Sequence, residues 1–595
     1  MAVITGTNGT ESLVDTAEDD TIEALAGIDS ITISLGGNDT ADGGADSDRL
    51  ILDARVRGGG VLMAAPTQNQ DGLSGSASWT GTSVSFQRVE HFSIYSAPTS
   101  NSDSVTTGGG DDVFHHYGLN SPTYLIDTVD LGAGNIDLLV ADMSAVTDYS
   151  VTNIANPALP GRYLITVQGF GKVDYTNVER LHITGGTRDD TFLGLVGDDI
   201  FYLQRGGADT ATGETGNDGF FFGAALTSAD SADGGAGRDY ATIQGNYSTA
   251  PLTLGAGFVN MELLTLLPGS DTSFGDTANQ SYSYSITTNE ANVAAGQLLT
   301  VDAAQLRAGE NFSFNGAAET DGGFKVYGGL GADNLVGGSQ SDFFLFTEDR
   351  WGTSDTVDGG AGSARDQLAL RGNYSIFFGA GQITSIESLV LLSGHDTRAN
   401  TNYGYLLFMS DANLAAGAVM TVDAGQLRAD EGLNFFGHTE TDGRFRIFGG
   451  AGGDQILGGE GADDIRGGAG GDNLYSRGGA DRLTGGADDD RFAYDDVAHS
   501  GPTARDTILD FTTGDIIALN TIDAVTATGV DDAFTFIGSA AFTLGTAGQL
   551  RVYEDSAAPG RWFVEADVNG DAVADMVIEV YTTDQMPLDA PDFAF

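Results

Sequence analysis

The sequence predicts an all-β fold, a parallel β-solenoid or β-helix that ends in a β-rich C-terminal cap. Three observations predict it: nonapeptide repeats rich in glycine and aspartate, a second set of short alternating apolar segments, and a long internal duplication. A nonapeptide is long enough for one turn and one short strand, and such units bury their apolar side chains only by stacking on neighbours. The repeats are therefore expected to build coils that add along one axis.

The clearest repeat is residues 449–493, which read GGAGGDQILGGEGADDIRGGAGGDNLYSRGGADRLTGGADDDRFA. Each of its five units has an aspartate at the sixth position and an apolar residue at the eighth. The aspartates are Asp454, Asp463, Asp472, Asp481 and Asp490, and the apolar residues are Ile456, Ile465, Leu474, Leu483 and Phe492. The glycines suit a tight turn, and the residues around each apolar position suit a short strand. Each unit is therefore predicted to be a turn followed by a strand.

Stacked units are expected to bring successive aspartates to the inter-strand spacing of roughly 4.8 Å. Carboxylates at this spacing repel one another, and a hard cation that binds oxygen ligands removes the repulsion. Calcium accepts carboxylates together with backbone carbonyls in a flexible geometry. The prediction is a series of calcium sites, in which the aspartates supply charge and the glycine turns supply carbonyls. The glycines assigned to these sites are Gly450, Gly452, Gly459, Gly461, Gly468 and Gly470.

The pattern G-G-x-G-x-D-x-U-x resembles the RTX (repeat-in-toxin) calcium-binding β-roll. The fourth unit, SRGGADRLT, departs from the pattern at Ser476 and Arg477, which puts one calcium site in question. Further units occur at 185–221, 234–242 and 328–345, with single or degenerate units at 108–114 and 36–48. They add the predicted calcium ligands Asp190, Asp199, Asp209, Asp218, Asp239, Asp333 and Asp342.

Two other repeats contain no obvious metal-binding pattern of their own. The segments VEHFSI, VERLHI, MELLTL and IESLVL share a glutamate followed by alternating apolar positions, which is strand periodicity. Their glutamates, Glu90, Glu179, Glu262 and Glu387, are either calcium ligands or, as we favour, groups at a solvated edge or bonded to a neighbouring turn. Residues 299–335 return in altered form at 420–456, and both copies run directly into nonapeptide units.

These repeats predict six segments. They are an N-terminal solenoid with degenerate units (1–184), calcium loops (185–245), two repeat copies (246–371 and 372–448), a β-roll (449–493) and a C-terminal cap (494–595). Within the last segment, DTILDF at 506–511 and GDIIAL at 514–519 are similar to the strands that close the roll in serralysin-type C-terminal domains. That resemblance implies type I secretion from a Gram-negative cell.

Composition narrows the function further. The formal net charge is −58, cysteine is absent, and the N-terminal residues lack the basic and apolar regions of a Sec signal. Such a chain is expected to bind calcium rather than nucleic acid, whose affinity comes from Lys and Arg contacts to phosphates. Membrane insertion is not expected, because nowhere do 18 apolar residues occur together.

Catalytic motifs are missing from the sequence. It contains neither H-E-x-x-H nor G-x-S-x-G, and the adjacent His115 and His116 cannot share a metal on a strand, so an ordinary surface or turn role is expected for them. The segment DVNGDAVAD at 567–575 imitates an EF-hand loop but lacks its final glutamate, which favours a structural hairpin.

Three functions remain open. The leading prediction is a secreted, non-enzymatic, calcium-dependent structural protein, such as an S-layer or matrix subunit that self-associates into a lattice or filament and contacts cell-surface polysaccharide or lipopolysaccharide. The second is a calcium-dependent adhesin, for which Trp79, Trp351, Tyr403 and Tyr405 could stack on sugars unless they pack inside the solenoid. The third is a β-helix polysaccharide lyase or epimerase, which the low basic content disfavours.

Overall fold

A computed structural model describes the chain except residues 57–59, 71, 81, 98–101, 119–125, 135, 275–278, 395–400, 529 and 584–585. The chain divides into two compact units, Met1–Val301 and Asp302–Phe595. Regular structure in the described residues consists of strands and short 3-10 turns, so the all-β class is confirmed; the turns are Ala54–Val56, Glu290–Asn292, Asp411–Asn413, Val497–Ser500 and Ala590–Asp592. Among the described residues no helix is long and apolar enough to cross a membrane. The division into six segments stays a prediction.

The first unit is a solenoid of two long ladders in which most neighbouring strands are parallel. One ladder contains, in spatial order, Val3–Thr5, Thr21–Glu23, Gly37–Asp42, Thr82–Val89, Gly72–Trp79, Leu62–Met63, Ser104–Thr106, Asp127–Asp130, Phe170–Thr176, Tyr163–Val167, Val151–Ala155, Thr191–Leu193, Thr210–Thr212, Ser231–Asp233 and Phe258–Val259, with Thr67–Asn69 beside Gly72–Trp79. The other contains Ser12–Val14, Ser30–Ile33, Arg49–Asp53, His91–Tyr95, Val113–Tyr117, Leu138–Asp142, Arg180–Thr184, Ile200–Tyr202, Gly219–Gly223, Tyr240–Ile243 and Leu263–Leu266. A short parallel pair, Leu252–Thr253 and Tyr284–Thr287, completes the unit.

Two antiparallel insertions interrupt the first ladder. Strands between residues 62 and 89 pair antiparallel with one another, and so do the strands between residues 151 and 176. These insertions lengthen their coils, because Arg49 lies opposite His91 and Leu138 lies opposite Arg180 in the second ladder. Elsewhere the step is short, as in His182 opposite Ile200. The solenoid therefore tolerates long excursions without losing its register.

The second unit has three sets of strands. The longest set contains Gly323–Tyr327, Phe343–Thr347, Gln367–Arg371, Ser388–Leu391, Val419–Asp423, Arg444–Phe448, Asp464–Ala469, Arg482–Ala487 and Thr507–Phe511, and the strand Leu298–Asp302 lies at the boundary of the two units in the chain. A second set contains Phe312–Asn315, Asp333–Val336, Thr356–Asp358 and Ile383–Thr384. The third contains Tyr374–Phe377, Gly404–Phe408, Gly432–Phe436, Gln455–Leu457, Asn473–Tyr475, Arg491–Ala493, Ile516–Ala518 and Phe593–Ala594.

The nonapeptides of the roll alternate between two of these sets. Ile456 lies opposite Leu474, and Ile465 lies opposite Leu483, so a strand pairs with the strand 18 residues further on. The expectation that successive aspartates stack directly is therefore wrong, because one nonapeptide forms half a coil and its turn carries the chain to the other set. The eighth-position side chains Ile456, Ile465, Leu474, Leu483 and Phe492 are all 0% exposed and form the core.

The C-terminal cap is an antiparallel sheet. The strands Gln549–Glu554, Arg561–Asp567 and Met576–Thr582 pair in that order, with Thr535–Phe536 parallel to the first. Met576–Thr582 also pairs with Thr507–Phe511 and so joins the cap to the roll. The loop at 567–575 connects two of these strands, and its Asp567 carboxylate accepts the N–H groups of Asn569, Gly570 and Ala572. The segment therefore forms the predicted hairpin between these two strands.

Candidate calcium sites

Two columns of aspartates run through the roll and its continuation. Column one contains Asp454, Asp472, Asp490 and Asp515, and column two contains Asp463, Asp481 and Asp506. In each column the Oδ1 atom accepts a hydrogen bond from the backbone N–H of the preceding aspartate, at 2.7–2.9 Å. The strand ladder thus brings one carboxylate per coil into a continuous, buried row.

The other predicted aspartates occupy equivalent columns. The N–H of Asp190 donates to Asp209 at 2.9 Å, and that of Asp199 donates to Asp218 at 2.7 Å. Asp218 in turn donates to Asp239 at 2.7 Å. In the second unit Asp333 donates to Asp355 at 2.9 Å and Asp342 donates to Asp366 at 2.8 Å. Aspartates of nonapeptide units that are separate in the sequence are therefore neighbours in these columns.

The four glutamates of the second repeat belong to the same columns. The Oε2 atom of each glutamate accepts the backbone N–H of an aspartate, at distances of 2.6–2.9 Å. The pairs are Glu90 with Asp48, Glu179 with Asp137, Glu262 with Asp239 and Glu387 with Asp366. The hydrogen bonds to neighbouring turns that we favoured for these glutamates are therefore present, and a role as calcium ligands stays a prediction. Each glutamate lies in a coil that lacks a nonapeptide turn at this point. Its longer side chain reaches the position that an aspartate occupies in the other coils.

Several carboxylate oxygens inside the columns lack hydrogen-bond partners. Within the described part of the chain, Oδ2 of Asp472, Asp481 and Asp490 is buried and has no hydrogen-bond partner, and the same holds for Oδ2 of Asp218 and Asp239. A buried polar atom without a partner costs free energy, so such atoms mark a missing ligand. A cation bound in the column would satisfy these oxygen atoms.

The glycine turns add carbonyl oxygens to these rows. The space beside Gly467, which a Cβ atom would fill, is bounded by Oδ2 of Asp472 and the carbonyl oxygen of Gly485. The space beside Gly458 is bounded by Oδ2 of Asp463 and the carbonyl oxygen of Ser476. Carboxylate and carbonyl oxygens around a small space fit calcium, a hard cation that prefers these ligands.

Burial raises the pKa of the column carboxyls. The pKa of Asp454 rises to about 6, that of Asp463 to about 7 and that of Asp490 to about 7. Asp472 reaches a pKa of about 8, because burial is reinforced by the charges of Asp454 and Asp490. The backbone N–H donors oppose this rise but do not cancel it. Without a cation, ionised column carboxylates are therefore costly at neutral pH, mainly because they are desolvated and, at Asp472, also because like charges lie nearby.

The predicted glycines shape the turns. The N–H of Gly450 donates to Oδ2 of Asp454 at 2.7 Å, and the N–H of Gly459 donates to Oδ2 of Asp463 at 2.9 Å. Gly468 and Gly470 have φ of +123° and +93°, a backbone conformation that side chains disfavour. Gly452 and Gly461 pack against the carbonyls of Glu431 and Gly443 in the preceding coil.

The departure from the repeat at Ser476 changes one position in column two. The buried Ser476 hydroxyl donates to Oδ2 of Asp506 at 2.9 Å, so the serine occupies space that a glycine leaves open in the other units. Arg477 lies 3.6 Å from Glu460 and 3.8 Å from Asp495. Burial raises the pKa of both Asp481 and Asp506, and the Asp506 charge raises that of Asp481 further.

The sequence interpretation noted a degenerate unit at 36–48 but missed the aspartate column to which it belongs. Asp20 donates its N–H to Asp39 at 2.8 Å, and Asp29 donates to Asp48 at 2.9 Å. The positions 20, 29, 39 and 48 have the same 9, 10 and 9 residue spacing as the aspartates at 190–218. That spacing was the available signal, and the scarcity of glycine before residue 36 obscured it.

One expectation about an individual side chain needs correction, and another is confirmed. His116 has a buried ring whose Nδ1 lies 2.7 Å from Oδ2 of Asp127, so it is not a surface or turn residue. Trp79, Trp351 and Tyr405 are 6%, 7% and 1% exposed, so packing inside the solenoid, rather than an exposed surface for sugars, is confirmed for these three aromatics.

Two family descriptions match the chain. The RTX calcium-binding nonapeptide repeat matches four stretches, 5–32, 33–54, 182–206 and 325–344. The serralysin C-terminal family (Peptidase M10 serralysin C terminal) matches residues 443–590, which include the whole roll. No curated protein matches the chain.

The two matches agree with the columns and with the cap. RTX nonapeptides bind several calcium ions, and a serralysin-type C-terminal region accompanies type I secretion to the outside of the cell. The matched regions are non-catalytic parts of the proteins that carry them. The chain therefore contains RTX calcium-binding nonapeptide repeats and a serralysin-like C-terminal region, which together indicate a secreted, calcium-binding protein.

Proposed function

We propose that the protein is a non-enzymatic structural subunit of a Gram-negative cell surface, an S-layer or extracellular matrix component that folds and assembles on binding calcium outside the cell. The predicted column aspartates and the turn carbonyls hold the ions. One observation carries this proposal. Acidic columns occur in each of the two units instead of at one local site, so calcium serves as the counter-charge throughout the chain.

The charge of the chain supports assembly through the same ion. A formal charge of −58 opposes the self-association of separate molecules at neutral pH. Calcium reduces that charge by filling the columns, and it can also bridge exposed carboxylates of neighbouring molecules. Export as an unfolded chain fits extracellular sites of about 10⁻⁴ to 10⁻³ M affinity, which are empty in the cytosol and occupied outside.

The adhesin alternative loses its main support from the aromatic side chains. Three of its four proposed sugar-stacking residues, Trp79, Trp351 and Tyr405, lie in the interior. An enzyme of polysaccharide metabolism would need a basic or aromatic acid–base group beside a carboxylate. Glu565 and Glu579 in the cap do lie beside arginines and tyrosines, but Arg551, Tyr553, Arg561 and Tyr581 already occupy them in ion pairs and hydrogen bonds.

Imaging of the purified full chain tests the proposal. In millimolar calcium we expect ordered lattices or filaments by electron microscopy, and in chelator we expect dispersed chains. Magnesium at the same concentration is the control, and it should substitute poorly because it gives up its water reluctantly. A calcium-folded protein that stays monodisperse at high concentration would contradict the structural role and favour the adhesin.

A further inference from the structure

An acidic cluster outside the nonapeptide aspartates lies in the second repeat copy. Asp411 begins the 3-10 turn Asp411–Asn413, and Glu440 and Asp442 lie in the turn between the strands Gly432–Phe436 and Arg444–Phe448. Each of the three offers one carboxylate oxygen, and these oxygens lie within 4.8 Å of one another. We call Asp411, Glu440 and Asp442 the acidic triad.

Hydrogen bonds hold the triad in place. Oδ1 of Asp411 accepts the N–H and the hydroxyl of Thr441, at 3.0 Å and 2.7 Å. Oε1 of Glu440 accepts the N–H groups of Asp442 and Gly443, at 3.1 Å and 2.7 Å. These bonds fix the exposed Asp411 and the buried Glu440 against the same turn, and the triad is therefore ordered by its own backbone.

The second observation is an unpartnered oxygen. Glu440 is 1% exposed, and among the residues that the structure describes its Oε2 atom has no hydrogen-bond partner. Burial of a carboxylate without compensation is costly, whereas a cation in contact with three carboxylates removes that cost. Glu440 therefore has the geometry of a ligand whose ion supplies the missing contact.

The first repeat copy reproduces the arrangement around the buried glutamate. Glu319, 121 residues before Glu440, is 0% exposed, and its Oε1 accepts the N–H groups of Asp321 and Gly322 at 3.2 Å and 2.9 Å. Its Oε2 is likewise buried and unpartnered within the described residues. The sequence also places Glu290 at the position equivalent to Asp411. The duplication has kept an acid at each of the three positions.

The triad stands at the entrance to a nonapeptide stack. The carbonyl of Glu440 accepts the N–H of Glu460, in the second nonapeptide of the roll, at 3.0 Å. The carbonyl of Glu319 accepts the N–H of Ser339 at 3.0 Å, in the nonapeptides that follow the first copy. In both copies a turn without the nonapeptide pattern precedes the first calcium turns, where the stack would otherwise lack a charged neighbour.

We propose that Asp411, Glu440 and Asp442 bind one additional calcium ion, which closes the end of the nonapeptide stack. Three carboxylates and no nitrogen or sulfur ligand favour a hard divalent cation. The site differs from the nonapeptide sites in its ligands, because a buried glutamate and two exposed aspartates replace the sixth-position aspartate. It does not depend on the proposed cell-surface role, since ion binding is measured on single chains.

Calcium stoichiometry tests this site. The full-length double variant Asp411→Asn/Asp442→Asn removes two ligand charges at exposed positions and keeps an acceptor for Thr441. By equilibrium dialysis with radioactive calcium, the variant should bind about one ion fewer per chain than the parent. The charge-matched control Glu348→Gln/Asp430→Asn, at exposed positions of the same unit, should bind as many ions as the parent.

Two outcomes would overturn the proposal. One is a double variant that keeps the parent's ion number and affinity. The other is a control that loses an ion as well, which would show a general effect of charge. Circular dichroism in calcium verifies that each variant is folded, and the single variant Asp442→Asn provides the same comparison should the double variant not fold. Failure of lattice formation alone would leave the ion count unchanged and so concerns the cell-surface role instead.

Discussion

The backbone N–H of Asp472 donates to Oδ1 of Asp490 at 2.9 Å, while Oδ2 of both residues stays buried and unpartnered within the described chain. This relationship has two consequences. The hydrogen bond fixes the spacing of the carboxylates independently of any ion, and the remaining oxygens carry the repulsion that an ion relieves. Geometry and charge in the columns are therefore separable by mutation.

The variants Asp463→Asn and Asp472→Asn test this separation. In both variants asparagine keeps an oxygen that can accept the column hydrogen bond and removes a charged ligand, but at position 463 its amide group replaces an oxygen that accepts the N–H of Gly459. We expect weaker calcium affinity by calorimetry and a lower melting temperature in calcium for both variants. In chelator we expect an equal or higher melting temperature for Asp472→Asn, because repulsion falls, and a lower one for Asp463→Asn, because a hydrogen bond is lost. Asp464→Asn, a substitution outside the columns on the neighbouring residue, is the matched control. An equal loss of stability in calcium and in chelator would argue against a ligand role.

The core of the roll should fail independently of calcium. Ile465 is 0% exposed, so Ile465→Asp buries a carboxylate among apolar side chains and should prevent the roll from folding at any calcium concentration. Ile465→Val, the control, should cost about 0.5–1.5 kcal/mol. Circular dichroism of both variants in saturating calcium measures the effect, and native β structure in Ile465→Asp would contradict the assigned core.

The column glutamates provide a third test. Glu262 accepts the N–H of Asp239 at 2.6 Å, so Glu262→Ala leaves that donor without its acceptor and should cost about 1–3 kcal/mol. Glu262→Gln retains an acceptor and should lose less. Denaturant unfolding in calcium compares the two variants. Equal losses would mean that the charge of Glu262, rather than its hydrogen bond, matters.

The raised pKa values predict how stability depends on pH. The folded pKa of Asp472 is about 8 and that of Asp463 about 7, against roughly 3.9 for an unfolded aspartate. Between these values the folded state binds more protons than the unfolded state, so stability falls as pH rises. In chelator the protein should therefore melt at a higher temperature at pH 5 than at pH 8.

Calcium should oppose this fall in stability with rising pH, because protons compete with the ion for the same oxygens. The stabilisation by calcium is expected to be larger at pH 8 than at pH 5, as measured by melting temperatures at fixed ion concentration. A chelator-treated protein that melts higher at pH 8 would contradict the raised pKa values.

The sequence revealed those parts of the fold that keep a strict period. The aspartates and apolar residues at 449–493 are visible because both recur every nine residues, and they predicted the turns, the core and the ion. It did not reveal that Asp454 pairs with Asp472 rather than with Asp463. Nine residues form half a coil, so alternate nonapeptides belong to different strand sets, and only the three-dimensional pairing shows this. Glu262 was hard to assign because its hydrogen bond joins coils of irregular length. Asp20 and Asp39 lay in units with few glycines, where the spacing alone carried the signal.

Folding and assembly should separate on titration. The columns lie inside each molecule, whereas bridges between molecules use exposed carboxylates with fewer ligands, so assembly should need more calcium than folding does. We expect β structure to appear first and light scattering to rise second. A single transition in both signals would mean that assembly itself folds the chain.

The most direct test is the far-ultraviolet circular dichroism of the purified full chain at neutral pH, recorded in chelator and then in millimolar calcium. Ion binding to the folded state alone stabilises it by RT ln(1 + [Ca²⁺]/Kd), about 2.7 kcal/mol per site at a hundredfold excess over Kd. With many column sites, the chain should show a weaker β signal and a much lower melting temperature in chelator, and calcium should raise both. A β signal and a melting temperature unchanged by calcium would contradict the account.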